Sequence, residues 1–123
     1  MFNFEKLEVW HKAVEFADHV YTLTRSFPED ERFGLTVQMR RAAVSISSNI
    51  AEGSSRSSKS DFARFVQIAT GSVFEVVSQA TICRRQGLLS QSAFTQLYSA
   101  AEEQSKMLSG LKKSFNQPLS TTD

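Results

Sequence analysis

The sequence predicts an all-α domain, an antiparallel up-down-up-down four-helix bundle. Apolar residues recur at three- and four-residue spacing along four stretches, alternation of period two is absent, and the two prolines and five glycines read as punctuation at segment ends. A chain of 123 residues, 41% hydrophobic and 22% charged, suits one core and leaves no room for a second domain. The bundle is expected over residues 1–115, with a loose C-terminal tail carrying Pro118 over residues 116–123.

The first helix is expected from about Glu5 to Arg25, where the Phe27-Pro28 step ends it because the residue before proline is driven out of helical geometry. Its core stripe is read as Leu7, Trp10, Val14, Ala17 and Tyr21. The second spans about Leu35 to Glu52 on the stripe Leu35, Met39, Ala42, Ile46 and Ile50, and Gly53 is expected as its left-handed C-cap. A polar link, Ser54-Ser55-Arg56-Ser57-Ser58, follows, and Ser58 caps a third helix with Asp61 three residues on. That helix runs to about Arg85 on Phe62, Phe65, Ala69, Ser72 and Val76, and Gly87 stops it. Ser90 caps a fourth reaching about Phe115, with Phe94, Leu97, Ala101, Leu108 and Leu111 inward. Links this short make helices adjacent in sequence antiparallel.

Apolar residues exceed what one core needs. On helix 1 a second row, Val9, Phe16 and Leu23 with Ala13 and Val20 beside it, extends the apolar surface to about half the circumference. Val37, Val44 and Ala51 make a row on helix 2, and Phe74 and Ile82 fall outside the core arc of helix 3. A small bundle buries one face of each helix, so Val9, Phe16, Val20, Leu23, Val37, Val44, Ala51 and Phe74 are the candidate oligomer interface. Charge is also uneven: residues 1–33 carry seven acids against four bases, residues 34–90 seven bases against three acids, and the rest three of each, for a net +1. Surfaces of opposite sign on one subunit can meet head to tail in a ring.

Little in the sequence points to catalysis. Nucleotide-binding glycine loops and the nucleophile elbow are missing, and the abundant serines suit caps and links. His11, Glu15 and His19 share a helical stripe, but the two histidines are about 12 Å apart along the axis, too far to ligate one metal ion. The lone cysteine, Cys83, has no disulfide or zinc partner and reads as a small core residue. No cofactor or metal is expected. The opening residues MFNFEKLEVW carry acids and lack the run of about 7–15 apolar residues of a signal peptide, so a cytoplasmic, membrane-free protein is expected.

The basic middle segment supplies the candidate nucleic-acid contacts: Arg40, Arg41, Arg56, Lys59, Arg64, Arg84 and Arg85. Ser54 to Ser60 can donate hydrogen bonds to phosphates beside Arg56 and Lys59, which positions a backbone without reading its sequence. The nearby Phe62 and Phe65 fall on the core stripe, leaving no aromatic platform for bases there. Gln38, Arg41, Ser45, Asn49 and Glu52 line a polar stripe on helix 2, either an interhelical hydrogen-bond network or the wall of a cleft between subunits.

The run Phe33-Gly34-Leu35-Thr36, Gln38, Arg40 through Ile46, Asn49-Ile50-Ala51-Glu52-Gly53 and Arg56 resembles the small four-helix proteins encoded within intervening sequences of bacterial 23S ribosomal RNA genes. Leu7-Glu8-Val9-Trp10, Phe27-Pro28, Ser60-Asp61-Phe62 and Gly71-Ser72 add to the likeness, which spans about residues 4–115. The resemblance implies an up-down bundle assembled as a ring, typically a homopentamer, without enzyme activity. The same family includes strongly basic accessory proteins of retroelements that bind nucleic acid and a reverse transcriptase. The present chain departs from them in its net charge of +1 and its acidic first helix, with Glu5, Glu8, Glu15 and Asp18. A non-catalytic homo-oligomer that binds RNA or DNA is the expected function, with a protein-interaction scaffold as the alternative. An enzyme with an intersubunit site along Gln38, Arg41, Asn49 and Glu52 is the third reading.

Overall fold

A computed structural model describes residues 1–116. It contains four α-helices, α1 (Glu8–Thr24), α2 (Leu35–Ser54), α3 (Lys59–Arg85) and α4 (Gln91–Ser114), with short 3-10 turns at Asn3–Lys6 and Glu29–Glu31 and no strand among the described residues. Nearly all of the expected tail, including Pro118, lies outside them. Each helix packs on its neighbours in sequence, and α1 also packs on α4, so the four enclose a single apolar core.

Three of the four stripes stand as expected. Met39, Ala42, Ile46 and Ile50 of α2 face Phe65, Ala69 and Val76 of α3, and Leu97, Ala101 and Leu108 close the core from α4. The caps also follow the sequence. Ser58 Oγ accepts from the Asp61 N–H at 3.0 Å and Ser90 Oγ from the Ala93 N–H at 3.0 Å, satisfying donors that an uncapped helix leaves without partners. Gly87, at φ 77°, takes the left-handed turn that ends α3.

Helix α1 departs from expectation. Its buried positions are Val9, Ala13, Phe16, Val20 and Thr24, a stripe rotated by about 90° from the one read in the sequence. Leu7, Trp10, Val14 and Ala17 are half-buried flanks, and Tyr21 is exposed. Val9, Phe16 and Val20 are therefore core residues with no surface to offer another subunit, which removes them from the candidate interface. The start of the helix moves as well. Leu7 is extended (φ −92°, ψ 120°), and the preceding turn folds back so that Phe4 packs on Trp10 with centroids 4.8 Å apart, while the Glu5 carbonyl sits 2.7 Å from His11 Nε2.

Gly53 does not cap α2. The helix continues through it to Ser54, and no backbone φ there is positive. A Cβ at Gly53 would lie 2.8 Å from Phe62 Cδ1 and 2.8 Å from Phe65 Cβ, so the glycine serves close approach of α2 to α3. Gly71 and Gly110 likewise lie inside α3 and α4 rather than at their ends. Two further contacts fix the level of α3 against α2: Ser45 Oγ is 2.9 Å from Ser72 Oγ, and Cys83 Sγ is 3.5 Å from Met39 Sδ.

Candidate nucleic-acid interface and apolar faces

The seven basic candidates divide into two groups at opposite ends of α3. Lys59 and Arg84 are 25 residues apart on one helix, roughly 37 Å. Because Met39 touches Cys83, Arg40 and Arg41 sit at the same end as Arg84 and Arg85. Arg56, Lys59 and Arg64 gather at the other end, around the α2–α3 link.

At the link end, two of the three cations are engaged locally. Arg56 Nη2 lies 2.8 Å from Glu52 Oε2 and its Nε 3.8 Å from Asp61 Oδ2, while Arg64 Nε donates to Asp61 Oδ1 at 3.0 Å. Both guanidinium groups rest on Phe65, with Cζ 4.6 and 4.5 Å from the ring centroid. These exposed pairs are screened and add little stability each, but they cancel the positive charge offered to a phosphate. Lys59 has no carboxylate within 4.0 Å among the described residues.

The other end keeps its charge. None of Arg40, Arg41, Arg84 and Arg85 meets a carboxylate among the described residues. Arg40 donates from Nε to Thr24 Oγ1 at 2.9 Å and places Cζ 4.5 Å from the Tyr21 centroid. Arg84 donates from Nε to Gln91 Oε1 at 3.1 Å, so it turns toward the link before α4. Arg40 and Arg41 border a depression of about 610 Å³ on the outer face of α2, together with Tyr21, Ser48 and Asn49. Val37 and Val44 form its apolar floor.

The polar stripe of α2 resolves into structural contacts and free ends. Asn49 Nδ2 donates to the Ser45 carbonyl at 2.8 Å and contacts its hydroxyl at 3.0 Å, and Ser45 pairs with Ser72 across to α3. Neither neighbour of Ser45 is a base that would take its proton, so this hydroxyl is not an activated nucleophile. Glu52 pairs with Arg56, while Gln38 and Arg41 are exposed. No three His, Cys, Asp or Glu side chains converge as a metal site among the described residues.

Apolar surface remains on α3 and α4. Phe74 is 65% exposed, and with Val73, Val77, Tyr98 and Ala101 it lines a groove of about 290 Å³ between the two helices. Ile68, Ile82 and Tyr98 are exposed as well. Of the remaining candidate interface residues, Val44 is exposed, whereas Leu23, Val37 and Ala51 are half-buried. Tyr21 and Thr24 of the Arg40 site, and Tyr98 of the groove, were not singled out as surface features by the sequence pattern. Tyr21 was masked by its place in an apolar series that reads as core.

These features define a class before they define a family: an all-α, four-helix protein whose distinctive chemistry is basic and apolar surface rather than a catalytic cleft. The chain belongs to the 23S rRNA-intervening sequence protein family, whose sequence profile matches residues 5–110. A protein with unknown function from the S23 ribosomal protein family of Bacteroides thetaiotaomicron VPI-5482, solved by crystallography at 1.70 Å, shares its fold with a TM-score of 0.76. The two are 24% identical, over 85% of this chain and 98% of that one. No curated protein matches the chain. No helix among the described residues is long and apolar enough to cross a membrane.

Proposed function

We propose that the chain is a non-catalytic, self-associating bundle that binds nucleic acid through phosphate contacts at the Arg40–Arg85 end. The observation that carries this reading is the gathering of Arg40, Arg41, Arg84 and Arg85 at one end without a carboxylate partner among the described residues. Unpaired guanidinium groups bind phosphate bidentately and release counterions when they do so. The up-down-up-down course is part of the proposal. It is supported by the order of contacts along α2 and α3, where Met39 meets Cys83, Ser45 meets Ser72, and Gly53 meets Phe62 and Phe65. A ring of five copies is the assembly consistent with family membership, and the cytoplasm, where RNA is met, is the compartment.

The two apolar faces divide the work. Val37 and Val44 share their depression with Arg40 and Arg41, so a subunit interface there would bury the cations. The α3–α4 groove around Phe74 is thus the better self-association surface, and the α2 face is left for nucleic acid.

Fluorescence anisotropy with a labelled RNA, between about 50 and about 200 mM salt, tests the phosphate reading. Affinity is expected to fall steeply across that range, and the Arg41→Glu, Arg85→Glu double variant should lower the log–log slope by about two, one per lost phosphate contact. Absence of binding at the lowest salt refutes it. The α3–α4 groove favours a second reading, a scaffold for another protein, in which a protein partner survives nuclease treatment and RNA affinity is nil.

A further inference from the structure

We infer that Tyr21 and Arg40 form a stacking platform for one base of a single-stranded nucleic acid, with Arg41 holding an adjacent phosphate. The inference rests on the nucleic-acid reading above and names the form of nucleic acid and the residues that select it.

Arg40 is held in place by an ordered relay. Thr24 is 2% exposed, and its hydroxyl donates to the Val20 carbonyl at 2.8 Å. Its proton thus committed, Thr24 Oγ1 accepts from Arg40 Nε at 2.9 Å. A threonine on the core stripe of α1 would lose solvation without partners, and here both halves of its hydrogen-bonding capacity are used. The result fixes the plane of a guanidinium over the Tyr21 ring, 4.5 Å from Cζ to centroid, with its terminal nitrogens toward the depression that Arg41, Ser48 and Asn49 also border. Tyr21 is 38% exposed, so the pair is reachable from solvent.

The contrast with the other end of α3 gives the arrangement its meaning. Arg56 and Arg64 also lie on an aromatic ring, but Glu52 and Asp61 neutralise them and Phe65 beneath is buried. Arg40 lies on a solvent-reachable ring, keeps its charge and is positioned by a neutral buried hydroxyl. Nucleobases stack on aromatic rings and on guanidinium planes, and unpaired strands alone expose the base faces needed for this. A duplex presents phosphates to Arg41 but offers no base to the platform.

The experiment compares three equal-length probes at low salt: oligouridylate, a strand of abasic nucleotides and an RNA duplex. Oligouridylate is expected to bind about tenfold more tightly than the abasic strand, the scale of one stacked base. Arg40→Lys, which retains charge but lacks the planar group, and Tyr21→Leu should each abolish that preference while leaving abasic-strand affinity and its salt slope unchanged. Thermal melting by circular dichroism verifies the fold of Tyr21→Leu, and Arg40→Lys carries the test by itself if that variant is unstable. Equal, salt-dependent binding of all three probes overturns the platform while leaving the phosphate reading in place. A preference that persists in Arg40→Lys overturns the residue assignment. Binding to none of the probes overturns the nucleic-acid reading itself.

Discussion

Cys83 shows what the core does to a single titratable side chain. Burial pushes its thiol from 9.0 up to about 11, and the Glu31 carboxylate adds to the rise. A raised folded-state pKa means that the stabilisation is complete below the unfolded value near 9 and is lost as pH climbs through 11. At about 1.4 kcal/mol per unit, the two-unit shift corresponds to a loss on the order of 2–3 kcal/mol across that window. Lysines and tyrosines titrate in the same range, so the measurement is the difference between wild type and Cys83→Ala in urea denaturation from pH 8 to 11. The wild type should lose stability relative to the variant as pH rises, and parallel curves would contradict the assigned shift. The native thiol should also resist a thiol reagent at pH 8 and react on unfolding, since the thiolate is the nucleophile and the core suppresses it. The structure separates Cys83, inert and packed on Met39, from Arg40 and Arg41 one residue further along α2 from that methionine, which are the chemically available groups of this end.

Glycine positions show how much of an element the sequence discloses. Gly53 and Gly71 both lie inside helices, where replacing glycine by alanine ordinarily gains about 0.5–1 kcal/mol. Gly71→Ala should realise that gain, because nothing lies within 4 Å of its would-be Cβ. Gly53→Ala should instead destabilise by about 1–3 kcal/mol, since its Cβ would overlap Phe62 and Phe65, the cost expected of overpacking. Denaturant midpoints of the two variants check the opposite signs. The sequence allowed two uses of Gly53, a left-handed cap or a close helix approach, and only the position of α3 decides between them. The stripes of α2, α3 and α4 were legible because each has one dominant apolar row. Helix α1 has two rows about 90° apart, and tertiary packing selected the one ending in Thr24, whose hydroxyl meets Arg40. The same ambiguity hid the Arg40 site: Tyr21 continued an apolar series, and its partner lies on another helix nineteen positions away. The basic residues themselves were visible, but their division into a neutralised group and a free one depends on side-chain partners that spacing does not specify.

At the scale of the whole molecule, the exposed apolar groove between α3 and α4 carries the prediction of self-association. Stable protein interfaces bury about 800 Å² on each partner, and a large exposed aromatic at the centre of such a patch is a characteristic anchor. Phe74 meets that description because it is 65% exposed beside a groove floored by Val73, Val77 and Ala101. Phe74→Glu should therefore convert the assembly to monomers, measured by multi-angle light scattering at micromolar concentration. Its melting temperature as a monomer should stay close to that of wild type diluted below the association range, since surface changes outside the core shift stability by about 0.5 kcal/mol or less. Salt separates the two forces that can hold the ring. Association through the groove should survive about 1 M salt, where the Debye length is near 3 Å, whereas a head-to-tail contact between acidic α1 and the basic end would dissociate. Dissociation by salt with no effect of Phe74→Glu would transfer the interface to the charged faces. In that case Arg40 and Arg41 would be covered by the neighbouring subunit, and the nucleic-acid and stacking readings would fail together with the groove.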